Sequence, residues 1–211
     1  MYTKTKTILA GTFIIGILAL GVGAGVYALF SDTETSNGNL FTAGTLDLTV
    51  NGLNGANSQI FNVANMKPGS QPKSQWYLAN IGSLPGTLSI SSIIVTNDEN
   101  GITEPEDEAG DVTASVGELG AVAWIDIYID ADNSGWFSTG DSYLYQGAIN
   151  GLTSPISIGT LGAGATTRVN AVVDWWSNSA PYTGLKYHLA DDNLAQGDSC
   201  TIDFVFSLVQ S

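Results

Sequence analysis

The sequence predicts an all-β chain, a single antiparallel β-sandwich of jelly-roll type behind an N-terminal apolar helix. Three observations lead there. Apolar residues alternate with polar ones at period two in segment after segment; Gly, Pro and Asn turns interrupt the alternation; and no window past Leu40 sustains an apolar stripe of period 3.6 for three turns. With 211 residues, 44% of them apolar, the chain is long enough to close one core.

Residues 1–28 read as an export signal. Lys4 and Lys6 precede an uncharged run of 22 residues, Ile8 to Leu29, which at about 1.5 Å per residue could cross a hydrocarbon layer of roughly 30 Å. Val26-Tyr27-Ala28 places small residues where signal peptidase needs them, and Ser31, Asp32 and Glu34 follow where a retained span would carry basic residues. Cleavage between Ala28 and Leu29 is therefore expected, with a retained anchor as the alternative; both readings export the chain and make it secreted or cell-surface. Cleavage leaves Lys67, Lys73, Arg168 and Lys186 against 20 acids, a formal charge of −16.

Residues 29–39 form a polar, Thr-containing segment, and residues 40–211 the sandwich. Thr45–Val50 alternates and ends at the Asn51-Gly52 turn, with Leu46, Leu48 and Val50 on one face. Trp76-Tyr77-Leu78 follows Lys67-Pro68-Gly69, and Thr87 to Val95 follows Leu84-Pro85-Gly86. Ala123–Ile129, Ser142–Gln146, Pro155–Ile158 and Thr167–Trp175 read as four more strands. Cys200, Ile202, Phe204, Phe206 and Leu208 share one face of the last. The Trp and Tyr residues on these strands are expected to pack the core and its rim, and Cys200 to be a small buried apolar residue.

Charge and composition exclude several functions. The acidic balance offers no basic patch for nucleic acid. One cysteine, Cys200, allows no intramolecular disulfide, and one histidine, His188, allows no HExxH or multi-histidine metal site. No carboxylate pair is singled out by spacing, and His188 has no nucleophile assigned to it, so the chain reads as non-enzymatic.

One loop has the spacing of a calcium site. In Asp130–Asp141, oxygen donors stand at loop positions 1, 3, 5, 9 and 12: Asp130, Asp132, Ser134, Ser138 and Asp141. Gly135 occupies position 6, where the chain must turn sharply, and Trp136 at position 7 would offer its backbone carbonyl. This is the EF-hand layout with Asp in place of the closing Glu, set between strands rather than helices. Structural calcium is the cofactor expected there, with Asp126 as an outer ligand; an Asx-rich turn is the bland alternative. A second acidic run, Asn97 to Asp111, contains Pro and Gly and no apolar period, and is expected to be a solvated loop between strands; a second cation there, cross-linking subunits or filaments, is the alternative.

Several strings carry a resemblance. Leu29-Phe30-Ser31-Asp32, then Phe41-Thr42-Ala43-Gly44-Thr45-Leu46-Asp47-Leu48, then Asn65-Met66-Lys67-Pro68-Gly69 and Asn80-Ile81-Gly82-Ser83-Leu84, resemble segments of the camelysin/TasA family of exported matrix-fibre proteins, TasA-like archaeal bundling pilins among them. The resemblance is strongest over residues 20–95. It implies a jelly-roll subunit of a biofilm-matrix filament or pilus that polymerises by donor-strand complementation. The donor would be Leu29, Phe30, Ser31, Asp32, Thr33, Glu34, Thr35 and Ser36. Its partners would be identical subunits in a head-to-tail filament and neighbouring filaments in bundles. The physics of such assembly is general: an unpaired sheet edge accepts an extended peptide, and head-to-tail addition that does not close yields a fibre. Camelysins have also been described as metallopeptidases, so that activity and a membrane-anchored monomeric adhesin are the alternatives.

Overall fold

The computed structural model describes residues 40, 42–55, 59–175 and 192–210. The chain divides into two compact units, Met1–Thr42 and Ala43–Ser211, and the β-architecture belongs to the second. The expected signal, its Ala28/Leu29 cleavage site, the donor segment Leu29–Ser36 and His188 all lie outside the described residues. Among the described residues no helix is long and apolar enough to cross a membrane.

Eight strands form two antiparallel sheets. They are β1 (Leu48–Val50), β2 (Lys73–Asn80), β3 (Gly86–Asp98), β4 (Trp124–Ile129), β5 (Ser142–Ala148), β6 (Ile156–Leu161), β7 (Thr166–Asp174) and β8 (Ser199–Gln210). The larger sheet has the order β1-β2-β7-β4-β5 and the smaller β6-β3-β8. Every segment expected to be a strand is one, although the first is regular only from Leu48. Two short helices, α1 (Glu104–Ala109) and α2 (Leu119–Val122), lie between β3 and β4. The acidic run is thus not the solvated loop its composition suggests: part of it is α1, and Glu99, Glu106 and Asp111 are buried.

The sheets share a core. Trp76, Leu78, Ile125, Ile127, Val169, Ala171 and Val173 of the larger sheet are buried against Leu88 and the inner residues of β8. Trp76 meets Phe204 and Phe206 edge-on, with ring centroids 4.9 and 5.3 Å away, so one indole joins the two sheets. β4 is covered on both faces, because Asp126, Tyr128 and Asp130 are buried along with Ile125 and Ile127. The outer cover at Tyr128 is aromatic: Phe137 and Tyr143 pack on it, stacked on each other at 3.9 Å.

The two strings flanking β1 and β2 lock together. Leu48 pairs with Asn80, Ser83 and Leu84 donate their N–H groups to Thr45 O, and a Cβ on Gly82 would come within 2.4 Å of that same oxygen. Asn80 is fully buried. Its Nδ2 reaches Leu84 O at 2.8 Å and Gly162 O at 3.1 Å, and its Oδ1 accepts Gly82 N–H at 3.0 Å. In the Lys67-Pro68-Gly69 turn, Gly69 adopts φ 90° and donates its N–H to Trp175 O.

Among the described residues the smaller sheet ends on β8. Its inward residues Ile202, Phe204, Phe206 and Leu208 are only half-buried, unlike their counterparts in the larger sheet. Beside β8 opens a cavity of about 470 Å³ lined by Ile60, Met66, Trp76, Ile125, Ile202 and Phe204.

Candidate metal centres

The hairpin loop between β4 and β5 gathers most of its expected ligands. Asp130, Asp132 and Asp141 each place a carboxylate oxygen within 4.8 Å of the others. Local backbone geometry closes the loop: Asn133 and Gly135 adopt φ 59° and 76°. All six carboxylate oxygens accept hydrogen bonds. Asp130 Oδ1 takes Ser134 N–H at 3.1 Å, and its Oδ2 takes Gly135 N–H at 3.0 Å and Asn170 Nδ2 at 2.8 Å. Asp132 takes Ser134 N–H at 3.0 Å and Ser138 Oγ at 2.9 Å. Asp141 takes the N–H groups of Ala131 and Ser138, both at 2.8 Å. Hydrogen bonds from Ser134 and Ser138 hold the Asp132 carboxyl below the usual carboxylate range. Ser134 Oγ donates to Trp136 O at 2.7 Å, so positions 5 and 7 bond each other, while Lys73 Nζ sits 3.8 Å from the Trp136 ring. Asp126 does not join the three carboxylates; its Oδ1 accepts Trp124 Nε1 at 2.9 Å.

A second grouping, three of its five residues buried and two half-buried, lies where the β3–β8 pair ends. The pairing of Asp98 with Ser199 sets Glu99 beside Asp198, and the excursion through α1 and α2 returns Glu106, Asp111 and Glu118 to the same place. Two triads form, Glu99–Glu106–Asp198 and Glu99–Asp111–Glu118, each with ligand atoms within 4.8 Å of one another. Four of the five carboxylates are tethered by one oxygen. Glu106 Oε2 accepts Thr103 N–H. Asp111 Oδ1 accepts Thr113 N–H and Oγ1, both at 2.7 Å. Glu118 Oε1 lies 2.8 Å from the same Thr113 Oγ1, whose single proton serves one of the two carboxylates at a time, and Asp198 Oδ2 accepts the N–H groups of Glu118 and Leu119 at the start of α2. The second oxygen of each is buried without a hydrogen-bond partner, as are both oxygens of Glu99. Burial first, then the charges of Asp198, Glu106, Asp111 and Glu118, push the Glu99 carboxyl up to about 7. Burial likewise raises Glu118 and Asp198, whereas hydrogen bonds from Thr113 lower Asp111. Glu118 and Asp198 carry no local sequence signal; the sheet register alone brings Asp198 to the site.

A family model for the camelysin metallo-endopeptidases matches residues 4–118. The chain is a camelysin-family protein. No curated protein matches it. The family description implies a metal-dependent peptidase, and catalytic zinc takes its ligands chiefly from histidine, with carboxylate or thiolate in support and one position left open. Among the described residues, the groupings able to ligate a metal consist of carboxylates only. The donor sets among the described residues therefore do not fit catalytic zinc; oxygen-only sets suit hard cations. Cys200 is half-buried on β8, where burial first and Asp98 second push its thiol up to about 11, the behaviour of a packing residue rather than a nucleophile.

Proposed function

We propose that this camelysin-family chain is a non-catalytic structural subunit of a secreted, cell-surface filament, a biofilm-matrix fibre or pilus. Signal peptidase cuts after Ala28, and Leu29–Ser36 of one copy adds to the β8 edge of the next. The observation that carries this reading is the unfinished side of the smaller sheet. Among the described residues β8 is an edge strand of 12 residues, with neither Lys nor Pro to blunt it. Its inner apolar residues are left half-buried over a cavity of about 470 Å³. A donor strand would pair with the free N–H and C=O groups of β8 and place Leu29 and Phe30 in apolar surroundings. The 11 residues from Leu29 to Asn39 extend at most about 36–40 Å, the length of β8 at roughly 3.4 Å per residue. The roles of the shared strings favour the same reading: Asn80, Gly82 and Gly69 serve turns and strand locking rather than a reacting centre.

Calcium on the hairpin loop is part of the proposal as a weak structural ligand, since every carboxylate oxygen there except Asp130 Oδ2 keeps a lone pair beyond its hydrogen bond. The decisive experiment deletes Leu29–Ser36 and leaves residues 1–28 in place. Secreted, folded monomers by size exclusion, with no filaments in electron micrographs, are expected. Filaments from the deletion variant would refute strand donation. A cell-bound monomer still beginning at Met1 would favour the anchored adhesin, and metal-dependent casein hydrolysis by purified protein would favour the peptidase.

A further inference from the structure

We infer that Glu99, Glu106, Asp111, Glu118 and Asp198 form a buried binding site for calcium, with Glu99 as the ligand shared between two halves of the site. Six carboxylate oxygens, two from Glu99 and one from each of the other four residues, are buried and lack hydrogen-bond partners. Glu106 is fully buried, Glu99 is 4% exposed and Asp111 7%. The hairpin loop differs: there, all six oxygens accept hydrogen bonds. Buried carboxylates left bare against one another are costly, because each loses its hydration and repels its neighbours. The charges bearing on Glu99 are all negative. A cation at the centre removes both costs.

The scaffold is arranged for that cation. Thr103, Thr113 and the N–H groups opening α2 each hold one oxygen of a carboxylate and leave the other buried without a partner. Such tethers orient ligands as outer partners do at metal sites. Calcium binds oxygens at about 2.3–2.6 Å, so two ligands of one ion lie up to roughly 5 Å apart; the atoms of each triad fall within 4.8 Å. Magnesium holds several waters and fits a crowded carboxylate cage poorly, and zinc prefers nitrogen and sulfur. The site ties the end of β3 and both short helices to Asp198, the residue just before β8, so the ion is a staple across segments far apart in sequence. This inference does not depend on filament assembly.

The test uses purified protein stripped with a chelator and then titrated with calcium chloride, following heat of binding and the melting curve. At a hundredfold excess over Kd the melting temperature should rise by roughly 5–10 °C. Glu99→Gln should lose most of that rise and bind at least tenfold more weakly. In chelator it should melt at or above the unsubstituted protein, because the change removes a repelling charge and keeps the shape. Asp130→Asn with Asp132→Asn should keep most of the rise. Glu118→Gln serves as a second variant if Glu99→Gln does not fold. The inference is overturned if unsubstituted protein melts alike in calcium and chelator, if Glu99→Gln keeps the full rise, or if Glu99→Gln is destabilised equally with and without calcium. A larger shift with zinc or magnesium than with calcium would overturn the assignment of the ion.

Discussion

Replacing Asn80 with alanine tests whether the strings shared with the camelysin family are scaffold. Asn80 is fully buried; its amide bonds the carbonyls of Leu84, Leu161 and Gly162, and its carbonyl accepts Gly82 N–H at 3.0 Å. Asn80→Ala strips all four groups of that partner. A buried polar group without a partner costs about 1–3 kcal/mol. Counting only Gly82 N–H and the buried Leu161 carbonyl, and adding the small void, the loss should be about 3–5 kcal/mol. For a chain of this size, that lowers the melting temperature by roughly 6–20 °C. Urea denaturation followed by tryptophan fluorescence reads it directly, since Trp76 and Trp175 are buried. Asn80→Asp keeps an acceptor for Gly82 but faces three carbonyls with a second acceptor, and should be at least as damaging. A loss below about 1 kcal/mol for Asn80→Ala would refute the reasoning, and unchanged stability combined with lost function would assign Asn80 to a site instead.

Other outcomes follow from the same structure. With its thiol pushed up to about 11, Cys200 should be only about 0.1% thiolate at pH 8 and resist iodoacetamide, reacting tenfold faster per pH unit up to that value; rapid alkylation of folded protein at pH 8 would contradict its burial. Replacing Asp130 and Asp132 together with asparagine should remove the hairpin loop's share of any calcium-dependent rise in melting temperature, leaving the larger share set by Glu99. A double variant with an undiminished calcium response would reduce the loop to a turn.

The hairpin loop was legible because its spacing is local. Twelve consecutive residues with Gly135 at the bend suffice to bring Asp130, Asp132 and Asp141 together, whatever the rest of the chain does. The strands were legible for a similar reason, since period two is written residue by residue. Composition misread the acidic run, because Pro and Gly beside many carboxylates normally mean solvent exposure, and no local pattern marks a carboxylate for burial. Glu99 and Asp198 stand 99 positions apart and meet because Asp98 pairs with Ser199. That register is chosen by the apolar faces of β3 and β8 along their whole length, where a one-residue slip would turn every side chain to the wrong side. Sequence periodicity thus determined the sheets and the calcium-like loop, whereas the cluster of five carboxylates and, among the described residues, the unpaired side of β8 were decided only when long-range pairing settled which residues lose water together.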